Sequence, residues 1–311
     1  MNHASPSAGS SPRPTLPLGH VIVGVDGSPA AEVAADLAAD EALRRHTTLE
    51  VLHVLEWVEL GGGKDRFGQQ LRENAHAIAD AAAERARLRH PDLKVVATVE
   101  LADVVDALAA ASDRAALLVV GSRGLGGFAG LLMGSVGLPI AAVVRCPLLV
   151  VHPEHRPAPE RTPGPIVVGV SGTDCAPALE AAFAQALARS VPVHAVHAWR
   201  HPAMVSAGAP FAPAPWVVQD WQGLAETTLD AAVAPLREKY PDVAVTEAVV
   251  LDAAAHALIA ASADADLVVL AAHRRTARFG PNLGRTTHTV LHHAKAPILL
   301  VPVGTRAPHQ G

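Results

Sequence analysis

The chain carries the same pattern twice, and this duplication limits its fold more than any other feature. His20-Val-Ile-Val-Gly-Val-Asp-Gly-Ser28 returns as Pro165-Ile-Val-Val-Gly-Val-Ser-Gly-Thr173. Leu52-His53-Val54 returns as Val196-His197-Ala198, and Leu118-Val-Val-Gly121 as Val268-Val-Leu-Ala271. The halves also close alike, on Arg145-Cys-Pro-Leu-Leu-Val-Val151 and Lys295-Ala-Pro-Ile-Leu-Leu-Val301. The offset is 145 residues at Gly24/Gly169 and 150 at Pro147/Pro297, with most of the drift in a longer second-half loop, Trp199 to Pro215. Each repeat must build the same unit, and 311 residues fit two units of about 150.

Within a unit, short β-branched runs alternate with alanine-rich stretches of helical period. The runs are Val21–Val25, Leu49–Leu55, Lys94–Leu101, Leu117–Gly121 and Leu148–Val151; the helical stretches include Ala30–Arg45, Phe67–His90 and Asp103–Ser112. Strands separated by helices imply crossover connections and a mostly parallel sheet. The runs are almost continuously apolar, as strands covered on both faces must be. Ser28 is placed to cap the first helix, with Pro29 at its first position. The expectation is α/β: two tandem Rossmann-like domains, each a doubly wound sheet of five parallel strands. The ligand crevice of such a sheet lies beyond the carboxyl ends of its strands. The expected boundaries are a disordered tail over 1–17, a first domain over 18–152, a proline-rich linker over 153–164, a second domain over 165–304 and a tail over 305–311.

Composition narrows the class. Half the residues are apolar and 18% are charged, so two cores can be buried, and aromatics at 3% favour small helices packed on Val/Ile/Leu strands. A net charge of −5 with no basic stripe gives nucleic acid little to hold. Cys146 and Cys175 have no metal spacing and form no disulfide framework, which fits a reducing cytoplasm. The first residues lack an apolar core and do not read as a signal peptide. Gly124 to Val144 is uncharged and long enough to span a bilayer, but it holds six glycines and Pro139. Its repeat partner, Arg274 to Ala294, carries four arginines and three histidines, which speaks against a membrane.

The chemistry concentrates after the fourth strand of the first half, in Val120-Gly-Ser-Arg-Gly-Leu-Gly-Gly-Phe-Ala-Gly-Leu-Leu-Met-Gly-Ser-Val136. Glycines let backbone approach a polyphosphate and turn where other residues strain, and their N–H groups form an anion nest. Ser135 is placed to cap the following helix and face phosphate oxygens, with Pro139 in its first turn and Arg123 adding a positive charge. No Gly-Lys-Ser/Thr follows, and no Gly-x-Gly-x-x-Gly sits at the first strand, so neither a Walker loop nor a nicotinamide site is indicated.

Gly121-x2-Gly124-x9-Gly134-Ser135 after the fourth strand, with Val-Gly-Val-Asp-Gly-Ser at the first, resembles the ATP-binding branch of the universal stress proteins, over roughly residues 18 to 303. The resemblance implies strand order 3-2-1-4-5 and contact through the fifth strands. It also implies ATP as the ligand, with Mg2+ left open as an accompanying ion. By position, Asp26, with Gly24 and Val25 beside it, would contact the nucleoside, and Val54 would offer its backbone to adenine. Gly121, Ser122, Arg123 and Gly124 would line ribose and phosphates, and Gly134, Ser135 and Val136 would close on the phosphates.

The second half departs from this pattern. Ala271 stands at the Gly121 position, Arg274 at Gly124, Gly284 at Gly134 and Arg285 at Ser135, while Ser171 replaces Asp26. A degenerate site is expected there; the alternative gives His273, Arg274, Arg275, Arg278 and Arg285 some other anion. His288 and His292 have a metal-compatible spacing but no third ligand, and His53 and His197 recur as structural residues. The function expected is a regulatory stress or dormancy protein that acts through nucleotide-dependent conformation or an unknown protein partner. The halves should form an internal pseudo-dimer, with further homo-oligomers left open. A slow ATPase or nucleotidyl-transfer enzyme and a nucleotide-free scaffold are the alternatives. Against the enzyme, the glycine segment holds no carboxylate or histidine to activate water.

Overall fold

The computed structural model describes residues 19–56, 66–124, 134, 136–155, 162–200, 214–273, 275–277 and 280–304, the backbone alone for 66, 173, 275–277 and 280–282. The expected tails, the middle of the linker and most of the long second-half loop lie outside these residues, as do Ser135, Arg274 and Arg278.

The first half runs β1 (His20–Val25), α1 (Pro29–Arg44), β2 (Leu49–Leu55), α2 (Arg66–Arg89), β3 (Val95–Leu101), α3 (Val104–Ser112), β4 (Ala115–Gly121), α4 (Gly137–Val143) and β5 (Leu148–Val151). The second half repeats it as β6 (Ile166–Gly169), α5 (Ala176–Arg189), β7 (Val193–Trp199), α6 (Pro215–Lys239), β8 (Val245–Leu251), α7 (Ala254–Ala261) and β9 (Leu267–His273). A short hairpin, β10 (Arg275–Ala277) with β11 (Gly280–Asn282), precedes α8 (Arg285–His293) and β12 (Ile298–Val303). That hairpin is new relative to the sequence reading, which placed only a basic loop there, and β11 packs against α4 of the first half.

Each half has the order 3-2-1-4-5, and the two sheets merge into one of ten strands, β3-β2-β1-β4-β5-β12-β9-β6-β7-β8. Within this ten-stranded sheet, all pairs inside a half are parallel. The junction alone is antiparallel, pairing Ile298 with Val150, Leu299 with Leu149 and Leu300 with Leu148. Each fifth strand would otherwise leave a short apolar edge, and pairing the two edges removes both. The linker thus joins a pseudo-two-fold pair of domains.

This merger changes how the core is divided. The sequence suggested one core per domain. Instead, one apolar layer runs along each face of the shared sheet, through both halves. One layer joins Ala34, Ala38 and Ala42 of α1 to Leu149, Leu299, Phe183 and Leu229. The other joins Leu108 and Ile140 to Leu148, Ile298, Leu258 and Leu291. Alanines on α1 bring helix and sheet backbones close, so Val21, Val23, Leu49 and Val51 are fully buried without aromatic bulk. Among the described residues, no helix is long and apolar enough to cross a membrane.

Candidate functional site

The carboxyl ends of β1, β2 and β4 open into a cavity of about 500 Å³. Ten of the residues singled out from the sequence line it: Gly24, Val25, Asp26, Val54, Gly121, Ser122, Arg123, Gly124, Gly134 and Val136. Ser135 is outside the described residues. α4 begins at Gly137 with Val136 in the N-cap position, where no side chain makes a capping bond.

A chain of hydrogen bonds ties the loops after β1 and β4 together. Asp26 Oδ1 accepts the Ser28 N–H at 3.0 Å. Ser28 caps α1 as expected, its hydroxyl accepting the Ala31 N–H at 3.2 Å. The same hydroxyl donates to the Arg123 carbonyl at 3.2 Å. The Gly134 N–H donates to the Ser122 carbonyl at 2.7 Å, and the Ser122 N–H to the Val151 carbonyl at 2.7 Å. The two ends of the glycine segment are therefore held against each other and against β5.

The glycines are needed for close approach, not for turning. Among the five that line the cavity, none has positive φ; that conformation falls to Gly27, at φ 80°, in the turn leading to α1. A Cβ on Gly124 would stand 2.5 Å from Asp26 Oδ2, and one on Gly121 would stand 2.9 Å from Ala30 Cβ and 3.0 Å from its carbonyl carbon. Gly121 thus lets β4 end against the first turn of α1, while Gly124 leaves room for the Asp26 carboxylate. Ala271 is accepted at the matching second-half position because α5 starts later, after a 3-10 turn over Thr173–Cys175.

Two polar groups in the wall lack partners among the described residues. Ser122 is 1% exposed, and its hydroxyl makes no hydrogen bond. The Arg123 Nε is likewise unpaired, while its Nη2 lies 3.9 Å from the exposed Glu154 carboxylate. Unmade hydrogen bonds in buried groups are costly, so such atoms mark where a ligand's acceptors belong.

Sequence reading missed several wall residues. Leu52 and Leu108 form an apolar floor, Ile78 closes the α2 side, and Glu56 brings a second carboxylate. Ile78 and Leu108 lie on helices whose direction only the tertiary packing fixes. Glu56 directly follows Val54-Leu55, and its position one residue past a strand end was the available signal. His53 also lines the cavity, but its Nδ1–H donates to the Val25 carbonyl at 2.7 Å. His197 does the same to Val170 at 2.8 Å. Both clamp adjacent strand ends, which is the structural role the repeat suggested.

The corresponding cavity of the second half is smaller, about 330 Å³. Ser171, Ala271, His273, Gly284 and Arg285 line it, so the aligned positions do converge, with altered chemistry. Trp199, at the position of Leu55, is buried and donates its indole N–H to Gln222 at 2.9 Å. Among the described residues, neither Trp199 nor α6 lines the cavity. The rings of His288 and His292 are 4.7 Å apart on α8, and among the described residues no three His, Cys, Asp or Glu side chains are grouped for a metal.

Fold and sites together define a duplicated, doubly wound α/β protein with a cavity at the carboxyl ends of the strands in each half. The model of the universal stress protein family matches residues 17–152 and again 163–302. Universal stress protein Rv2005c of Mycobacterium tuberculosis is 32% identical over 293 residues, covering 90% of this chain and 96% of that one. Universal stress protein Rv2623 of the same organism is 33% identical over 291 residues, covering 90% and 95%. In structure, a universal stress protein from Archaeoglobus fulgidus matches with a TM-score of 0.62 at 15% identity, covering 91% of this chain and 98% of that one, which shows the fold. The chain belongs to the universal stress protein family, with two family domains in tandem.

Proposed function

We propose that the chain binds one ATP, in the first-half cavity, and acts as a cytoplasmic regulatory protein whose nucleotide state is read by a protein partner. The observation that carries this reading is the pairing of a bare Gly124 against Asp26 with an unpaired Ser122 hydroxyl beside Arg123, in one cavity. Asp26 and Glu56 supply acceptors for the hydroxyl and amino groups of a nucleoside, and the apolar floor of Leu52 and Leu108 suits an adenine ring. The Ser122 hydroxyl, Arg123 and the backbone of Gly124 supply donors for phosphate oxygens. A volume of about 500 Å³ lies within the range of small-molecule sites.

The same geometry favours holding the nucleotide over cleaving it. Two of the groups that could activate water are engaged, Asp26 Oδ1 by the Ser28 N–H and His53 by the Val25 carbonyl. A general base must reach the proton it takes; Asp26 Oδ1 is already bonded, and Glu56 follows β2, on the side of the cavity assigned to the nucleoside. The second half lacks the acidic residue matching Asp26 and the glycines matching Gly121 and Gly124, and its cavity is smaller, which supports one nucleotide per chain. Nucleotide released on denaturing the purified protein tests the reading. About one adenine nucleotide per chain is expected, and a nucleotide-free chain with no affinity for ATP would refute it.

A further inference from the structure

The second-half cavity is smaller than the first and has inverted its electrostatics. The first cavity is lined by two carboxylates, Asp26 and Glu56, and one arginine. Among the residues lining the second there is no carboxylate, since Ser171 stands where Asp26 does, and Arg285 and His273 are the ionisable ones. Two hydroxyls have been added beside Arg285, from Thr286 and Thr287.

Three features converge at the polar end. α8 starts here with Gly284 in an extended N-cap conformation and no side-chain cap, and its first turn holds no acidic residue. The N–H groups of Arg285, Thr286 and Thr287 therefore have no partner within the helix. Thr287 is only 8% exposed and forms part of the wall, yet its hydroxyl has no hydrogen-bond partner among the described residues. Arg285 is exposed at the rim, free to fold over an anion without a desolvation cost beforehand. The opposite wall is apolar, made by Val196, Ala198, Leu258 and Leu270.

We propose that this cavity binds a small organic anion, a charged head on a compact apolar body, in place of a nucleotide. The head would take the α8 N–H groups, the Thr287 hydroxyl and Arg285; the body would cover the apolar wall. A ribose finds no carboxylate here, and about 330 Å³ in place of about 500 Å³ leaves less room for a base. The chain would then sense two ligands of different class across one continuous sheet. This inference does not rest on what the first cavity holds.

Benzoate serves as the probe for calorimetry on the full chain saturated with ATP, with inorganic phosphate as the second probe. One benzoate per chain is expected, with phosphate at least tenfold weaker for want of an apolar body. Ser171→Asp, which restores the carboxylate of the first half, and Arg285→Ser should each weaken benzoate at least tenfold. Both positions are exposed, so ATP affinity and melting temperature should stay at the wild-type values. Absence of benzoate binding, displacement of benzoate by excess ATP, phosphate binding as tightly as benzoate, or benzoate affinity unmoved by both substitutions would each overturn the proposal. A chain that takes benzoate as described but no ATP would sink the reading of the first cavity and leave this one intact.

Discussion

Replacing Glu41 by glutamine should loosen the junction between the halves, by an amount the structure fixes. Glu41 lies on α1 with its side chain 2% exposed. Its Oε1 accepts from Arg44 at 2.8 Å and from Arg189 of α5, across the junction, at 2.8 Å. Its Oε2 accepts from Gln185, also on α5, at 2.9 Å. Burial pushes the carboxyl pKa up, but the charges of Arg189 and Arg44 and the bonds from Gln185 and Arg44 outweigh it, lowering it from 4.5 to about 2. Burial pulls the Arg189 pKa down in turn, yet a guanidinium stays protonated in proteins, so Glu41 faces a full positive charge. At about 1.4 kcal/mol per unit, the depressed pKa is worth about 3 kcal/mol at neutral pH. Because the folded pKa lies below the unfolded one, this contribution is complete above about pH 4.5 and fades as pH falls towards 2. Glu41→Gln also leaves Arg189 buried beside Arg44 without its counter-charge, and breaking a buried pair from one side costs about 3–5 kcal/mol. Urea denaturation at pH 7 should show a loss of about 3 kcal/mol, shrinking at pH 3. Tryptophan fluorescence, which comes from Trp57 in the first half and Trp199, Trp216 and Trp221 in the second, should follow far-UV circular dichroism, since both cores cross the junction. A loss under about 1 kcal/mol at pH 7, or one that is the same at pH 3, would refute the reasoning.

Three further outcomes are expected. Gly121→Ala should lower stability by about 1–3 kcal/mol in thermal unfolding, because its Cβ meets Ala30 at 2.9 Å and backbone at 3.0 Å; an unchanged melting temperature would show that α1 can retreat from β4. Asp26→Ala should cost about 1.5–3 kcal/mol of ATP binding, roughly ten- to a hundredfold, while Ser171→Ala leaves it unchanged, and equal effects would undercut the assigned roles. Hydrogen exchange should find the β5 and β12 amides among the better protected in the whole chain and less so in isolated halves, since Leu148–Val150 and Ile298–Leu300 protect each other. Full protection in a monomeric half would contradict the shared sheet.

Much of this architecture is written locally. Continuous runs such as Val21–Val25 and Leu117–Gly121 can only be buried strands, and they stand within a residue or two of where periodicity puts them. Ser28-Pro29 announces α1, and the glycine spacing announces a backbone that must come close to something. The strand order and the fifth-strand contact followed from the resemblance and from the apolar ends of both halves. What stayed hidden depends on distance in the chain. Glu41, Gln185 and Arg189 read as ordinary helix-surface residues until the halves dock. The reason for Gly121 lies in Ala30 and that for Gly124 in Asp26, neither visible from the glycines themselves. Ile78 and Leu108 reach the cavity only because α2 and α3 flank the sheet from opposite faces.

Calorimetric titration of the nucleotide-free chain with ATP, alongside Gly124→Arg, tests the central claim most directly. At position 124 a Cβ meets only the mobile end of Asp26, so the carboxylate can turn aside and the fold survive. The arginine side chain would then fill the mouth of the cavity and pair with Asp26. The account predicts one ATP per wild-type chain and none for a Gly124→Arg chain of near-normal melting temperature. Two equivalent sites per chain, no ATP in the wild type, or undiminished binding in the folded variant would contradict it.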